Sequence, residues 1–187
     1  KILDNKLSDI IKKQIFADVE VGTFLSGGID STLITAKAQE VSTKKIKSFC
    51  IGTEDKTYDE SKYAYNVAKH LGTDHTELYF STKTAMQVIP KLPTIHDEPF
   101  SDNSQIPSFL LSQLAKKQIR VALSGDGGDE LFCGYNRYNS TNSWSNKFNL
   151  IPNSIRKILA DRIKATPQDA LNRLLNLLPN LNDYASV

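Results

Sequence analysis

Val21-Gly22-Thr23-Phe24-Leu25-Ser26-Gly27-Gly28-Ile29-Asp30-Ser31 is the stretch on which the reading of this chain turns. Residues 21–25 form a short, β-leaning apolar run that stops at two adjacent glycines, and Thr32 to Val41 then takes on helical texture. Strand, tight turn and helix follow one another. With no β-carbon on Gly27 or Gly28, backbone N–H groups can come close to an anion, and the helix aims the positive end of its dipole at the same point. Ser26 and Ser31 add hydroxyl donors. Asp30 would be repelled by bare phosphate, so its presence predicts a cation, most simply Mg²⁺, between carboxylate and phosphate. The plainer reading is a turn whose Asp30 or Ser31 caps the helix. The stretch is neither a Walker loop nor Gly-x-Gly-x-x-Gly.

Working outward, Leu3, Leu7, Ile10, Ile11 and Ile15 recur at helical spacing, so residues 3–17 read as an amphipathic helix before the strand. After it, residues 46–51, 76–80 and 119–123 read as strands, and residues 60–71, 82–92 and 104–117 as helices. The alternation predicts an α/β fold: a parallel sheet with helices on both faces. From about Asn139 the texture changes. Residues 139–153 are crowded with Asn and Ser, whereas 155–163 and 169–178 look like amphipathic helices and 182–187 like a frayed end. The expected division is 1–138 as the main domain and 139–187 as a linker with a partial helical extension.

A second glycine-acid loop, Ser124-Gly125-Asp126-Gly127-Gly128-Asp129-Glu130-Leu131-Phe132, again follows an apolar strand and precedes a helix. In open α/β sheets ligands sit beyond the carboxyl ends of strands where strand order reverses, so two such loops are expected to converge there. Asp126, Asp129 and Glu130 would crowd carboxylates beside phosphate, which Mg²⁺ or a substrate cation makes tolerable. A surface loop or a cap by Asp129 is the alternative, and it leaves the pairing of loops unexplained.

Composition narrows the classes. The 187 residues are 40% hydrophobic and 24% charged, as in one ordinary soluble domain. A net charge of +2, from 23 Lys and Arg against 21 Asp and Glu, makes no field suited to holding nucleic acid. Cys50 and Cys133 are far apart, so no disulfide framework or all-cysteine metal site is expected, and a reducing cytoplasm fits. No run approaches the roughly 18 apolar residues of a membrane span, and no export signal opens the chain. Because an amphipathic pattern begins directly at Lys1, the chain is expected to be cut from something longer.

Ser-Gly-Gly-x-Asp-Ser after a first parallel strand resembles the pyrophosphate-binding loop of the N-type ATP pyrophosphatases, which cleave ATP between its α and β phosphates to adenylate a substrate. Asparagine, NAD, GMP and argininosuccinate synthetases and tRNA-modifying enzymes share it. The second loop with Gly134-Tyr135 resembles the glutamine-dependent asparagine synthetase family, as do Tyr58-Asp59-Glu60, Leu71-Gly72-Thr73-Asp74-His75, Asp97-Glu98-Pro99 and Ile106-Pro107. The resemblance implies an adenine nucleotide alpha hydrolase-like fold over residues 5–138. It implies that Phe24, Leu25 and Ile51 line an adenine pocket through apolar contact and backbone groups. Ser26, Gly27, Gly28, Asp30 and Ser31 would hold pyrophosphate and its Mg²⁺. Ser124 and Gly125 would meet the nucleotide near the α-phosphate, Asp126 would serve catalysis beside the acceptor carboxylate and entering amine, and Asp129 would bind a second metal-pyrophosphate unit.

The implied reaction is attack of an acceptor carboxylate, most simply that of the aspartate side chain, on the α-phosphorus of ATP. Ammonia then displaces AMP to leave an amide. In the family, ammonia comes from glutamine in a separate N-terminal glutaminase domain, expected to be absent from this chain, and a catalytic lysine lies well beyond the second loop, expected past Val187 and so assigned to no residue here; the fragment is therefore expected to fall short of full turnover. Amidation of a sugar or other small carboxylate, or a non-catalytic nucleotide-binding module, stays open. So does the reading of Asp97, Glu98 and Asp102 as acceptor contacts or plain loop, with Asn103, Ser104 and Gln105 able to orient a polar substrate. His75 and His96 read as structural, and Arg137 and Lys147 as solvated bases. Oligomeric state is not legible.

Overall fold

The computed structural model describes residues 1–54, 59–135, 138 and 151–167. The chain divides into two compact units, Lys1–Phe132 and Cys133–Val187. In the first, four strands pair in parallel: β1 (Val21–Phe24), β2 (Lys47–Thr53), β3 (Asp74–Phe80) and β4 (Val121–Leu123). Their order across the sheet is β3-β2-β1-β4. Parallel neighbours need a crossover. The helices α2 (Ile29–Val41) and α3 (Ser61–Leu71) carry the chain from β1 to β2 and on to β3, and the helix α6 (Gln105–Ala115) precedes its return to the far side of β1. Strand order therefore reverses between β1 and β4.

Strand pleating sorts residues to two faces. On one face Leu25 and Cys50 pack against Ala64 and Ala68 of α3, while Ile11 of the amphipathic helix α1 (Ile2–Ile15) meets Ala38 and Ile46, with Leu123 beside them. The other face presents Phe24, Phe49 and Ala122 to Leu111, Leu114 and Ala115 of α6. Helices thus cover both faces, as the alternation of strand and helix predicts. Two buried hydroxyls, Thr23 on β1 and Thr35 on α2, satisfy each other across the first interface at 3.1 Å. At the surface, Lys37 Nζ bridges Asp4 at 2.6 Å and Glu40 at 2.8 Å, tying α2 to α1.

Local chemistry explains where the elements differ from expectation. The helix expected over 82–92 is broken: α4 (Thr82–Val88) gives way to a 3₁₀ turn (Ile89–Lys91) and a short α5 (Leu92–Ile95). Pro90 and Pro93 have no N–H to donate, so an unbroken ladder cannot form there. Helix α2 begins three residues before Thr32, at Ile29, because Gly28 in extended conformation (φ −70°, ψ 167°) serves as its N-cap. After the second loop lies α7 (Gly128–Phe132), and in the second unit α8 (Asn153–Ala165) supplies the first expected tail helix. The helix expected over 169–178, the frayed end, and residues Tyr58, Arg137 and Lys147 lie outside the described residues. No helix among the described residues is long and apolar enough to cross a membrane.

Candidate functional site

The carboxyl ends of β1 and β4 are adjacent in the sheet, and each runs directly into one of the two glycine loops. Beyond β1, Leu25 N–H still donates to Phe49 carbonyl at 2.9 Å, so the first loop leaves the sheet from a fixed point. The Leu25 side chain is buried in the core at 2% exposure, and what it can offer a ligand is main chain. Ser26 N–H donates to Ser31 Oγ at 3.2 Å, Gly28 N–H donates to Ser26 Oγ at 3.3 Å, and the two hydroxyls lie 2.9 Å apart. Ser31 Oγ also lies 3.3 Å from the Gly28 carbonyl it can donate to. Each hydroxyl has one proton. When Ser31 gives its proton to Ser26, the Ser26 proton is left for a ligand.

Gly27 sits at φ +84°, where a glycine is favoured. A Cβ there would stand 2.6 Å from Tyr63 Cβ and 2.7 Å from Ala64 N, so the loop rests on the first turn of α3. Thr32 N–H closes the first bond of α2 onto Gly28 carbonyl at 3.0 Å, which leaves the N–H groups of Ile29, Asp30 and Ser31 without intrahelical acceptors. Gly28 and Ile29 are exposed, so this donor-rich end is open to solvent.

The second loop closes against the first. A Cβ on Gly125 would lie 2.7 Å from Ser31 N and 2.9 Å from Asp30 C, and one on Gly128 would lie 2.5 Å from Asp30 Oδ2. Within the loop Ser124 Oγ donates to Asp126 Oδ2 at 2.9 Å, Gly128 N–H donates to Gly125 carbonyl at 3.1 Å, and Gly127 takes φ +86°. Asp126 is exposed and Asp129 half-buried. Asp30, Asp126 and Asp129 thus stand on two touching loops at one edge of the sheet. Among the described residues no three acidic, imidazole or thiol side chains form a ready metal cage. The carboxylates of Asp30 and Asp129 are hard oxygen donors of the kind Mg²⁺ takes, one or two at a time, with phosphate and water completing its shell.

The remaining predicted residues divide. Phe24 and Ile51 are half-buried near the ends of β1 and β2, Phe24 packing against the buried cluster of Phe49, Ala115 and Ile119. Ser104 holds the Asp102 carboxyl below the usual range, first through its hydroxyl and then through its N–H, which donates to Asp102 Oδ1 at 2.7 Å, and Gln105 Nε2 donates to the carbonyls of Phe100 and Asp102 at 2.9 and 2.8 Å. These side chains fold their own loop onto the start of α6, and an open cavity of about 620 Å³ lies over Pro99–Asn103 and Gln105. Asp97 and Glu98 stay exposed. His96 meets the Phe100 ring edge-on at 4.7 Å. His75 bonds Ser48 Oγ at 2.8 Å near the opposite end of its strand from the loops. The seat of Gly27 on α3 escaped sequence reasoning: a glycine pair signals a turn without saying what will lie beneath it.

Residues 3–186 match the asparagine synthase family. A protein of Methanocaldococcus jannaschii is 42% identical over 130 residues, covering 69% of this chain and 25% of that protein. Asparagine synthetase [glutamine-hydrolyzing] 1 of Bacillus subtilis is 35% identical over 168 residues, covering 90% of this chain and 26% of the relative. The chain therefore spans about a quarter of the length of these relatives. Among solved structures, a glutamine-dependent NAD+ synthetase of Acinetobacter baumannii, in complex with adenosine diphosphate, superposes with a TM-score of 0.52 at 19% identity, over 71% of this chain and 27% of that one. That likeness shows the adenine nucleotide alpha hydrolase-like fold.

Proposed function

This chain belongs to the asparagine synthase family, and from that membership we propose that it carries the ATP-dependent half of amide formation. An acceptor carboxylate, that of the aspartate side chain, attacks the α-phosphorus of ATP and displaces pyrophosphate, and ammonia then attacks the activated carbonyl and displaces AMP. Residues 1–138 form the synthetase portion, 139–187 its extension, and a glutaminase domain elsewhere in the full-length protein supplies the ammonia. The free cysteines Cys50 and Cys133 fit a cytoplasmic setting.

The observation that carries this reading is the contact between Gly125 and Ser31, which puts two glycine-acid loops side by side where strand order reverses. Ser26, Gly27, Gly28 and Ser31, with the open first turn of α2, receive the pyrophosphate. Main chain at Leu25, with Phe24 and Ile51, borders the adenine, and Ser124 and Gly125 meet the nucleotide near its α-phosphate. Asp126, exposed at the junction, faces the acceptor and the incoming amine. Asp30 and Asp129 would hold Mg²⁺, which supplies neutralisation of charge on the departing pyrophosphate. The protein's own part is to align the reactants and stabilise developing charge.

ATP–pyrophosphate exchange by the intact polypeptide, with Mg²⁺ and with or without aspartate, tests the proposal. Exchange that requires aspartate supports it, and replacing Asp30 with Asn should then weaken exchange and its magnesium dependence. ATP binding without exchange on aspartate or on a panel of other small acids would redirect the reading to a non-catalytic module.

A further inference from the structure

Tyr79 lies on the edge strand β3, its side of the sheet facing α3, and more than half of its surface is exposed. Its phenol Oη nevertheless makes a 2.6 Å hydrogen bond with Ser61 Oγ, and Ser61 is buried at 1% exposure. The ring reaches that far by lying across Gly52: a Cβ on Gly52 would stand 2.6 Å from Tyr79 Cε1 and 3.0 Å from Asp59 Oδ1. The same Asp59 Oδ1 accepts Ser61 N–H at 3.2 Å. Ser61 is thus held at its main chain by Asp59 and at its side chain by Tyr79, both seated over the gap that Gly52 leaves in β2.

Ser61 opens α3, and two and three residues on, Tyr63 and Ala64 close their N–H groups onto Glu60 carbonyl at 3.0 and 3.1 Å. Tyr63 and Ala64 are the residues on which Gly27 rests, without room for even a methyl group. Close-packed backbone transmits displacement rather than absorbing it. We propose that Tyr79 is a positioning residue for the first glycine loop, acting through Ser61 and the first turn of α3 to set the height of Gly27 and with it the donors offered by residues 26–31. This rests on the reading of that loop as the pyrophosphate seat. It makes an edge-strand tyrosine, remote in sequence from both loops, a determinant of pyrophosphate affinity.

Tyr79→Phe keeps the ring on Gly52 and removes only the phenol oxygen. Titration of the full chain with pyrophosphate in excess Mg²⁺, and separately with ATP, should show Kd raised about threefold to tenfold in the variant, the range one hydrogen bond commands. Thermal unfolding should move by only a few degrees. Ser61→Ala should weaken binding similarly, and the double variant should be no worse than either single one, since both break the same link. Unchanged Kd in Tyr79→Phe, with or without a lowered melting temperature, overturns the inference and makes Tyr79 a brace for stability alone. Independent, multiplying effects of the two substitutions overturn it as well. Should the unaltered chain bind neither pyrophosphate nor ATP, the reading of the loop itself falls, an outcome visible before any variant is made.

Discussion

Gly125 and Ser31 approach each other so closely that a methyl group on the first would stand 2.7 Å from the backbone nitrogen of the second. The neighbour is main chain of a helix and cannot swing aside, so Gly125→Ala must push the two loops apart. ATP titration should show affinity reduced by about fivefold to 150-fold, while far-UV circular dichroism stays native, as expected for a strain of roughly 1–3 kcal/mol confined to the site. Native-like affinity would mean that the loops do not act together.

Gly27 combines two demands, a φ of +84° and van der Waals contact with backbone of α3. Gly27→Ala therefore meets both left-handed strain and overlap, and urea unfolding should report a loss of about 2–4 kcal/mol. Gly72, at φ +72° with open space where a Cβ would stand, isolates the conformational part: Gly72→Ala should cost only about 1–2 kcal/mol. Equal losses at the two positions would remove the case for α3 as the loop's seat.

His75 is pushed below the ordinary imidazole value chiefly by burial, partly offset by the carboxylate of Glu77 3.3 Å away and by its bond to Ser48. The folded chain therefore binds fewer protons here than the unfolded one. The stability involved is fully present above the ordinary pKa of about 6.5 and is lost as pH falls from there through the folded value. Melting temperature should decline as pH falls below about 6.5, and His75→Asn should flatten that slope. An unaltered slope would assign the decline to other groups.

The two cysteines should react very differently. Burial pushes the Cys50 thiol up to about 12, with Glu77, Glu60 and Asp59 adding to the effect, whereas Cys133 is exposed. At neutral pH a disulfide reagent should titrate Cys133 quickly in the native chain and reach Cys50 only on unfolding. Mass mapping of the modified peptides identifies which thiol reacted first, and early labelling of Cys50 would contradict the packing beneath α3.

Much of this protein is determined by sequence alone, because the signals are local. Hydrophobic periods of two and of three to four separate strands from helices, and each glycine-acid stretch announces a turn that can approach an anion. Pro90 and Pro93 likewise carried the information that breaks the helix after Val88, since a missing N–H acts where it stands. Tertiary structure decided what depends on neighbours distant in sequence. Local pattern cannot say that β4 pairs with β1, although only that pairing sets Gly125 against Ser31. Nor can it say that Leu25 turns its side chain into the core and leaves main chain for a ligand, because the direction of a strand residue matters only once a helix covers that face. The seat of Gly27 on Tyr63 and Ala64, and the reach of Tyr79 across Gly52 to Ser61, are of the same kind. They exist because close packing brings separate elements within a few ångströms, where the absence of a single methyl group decides what fits.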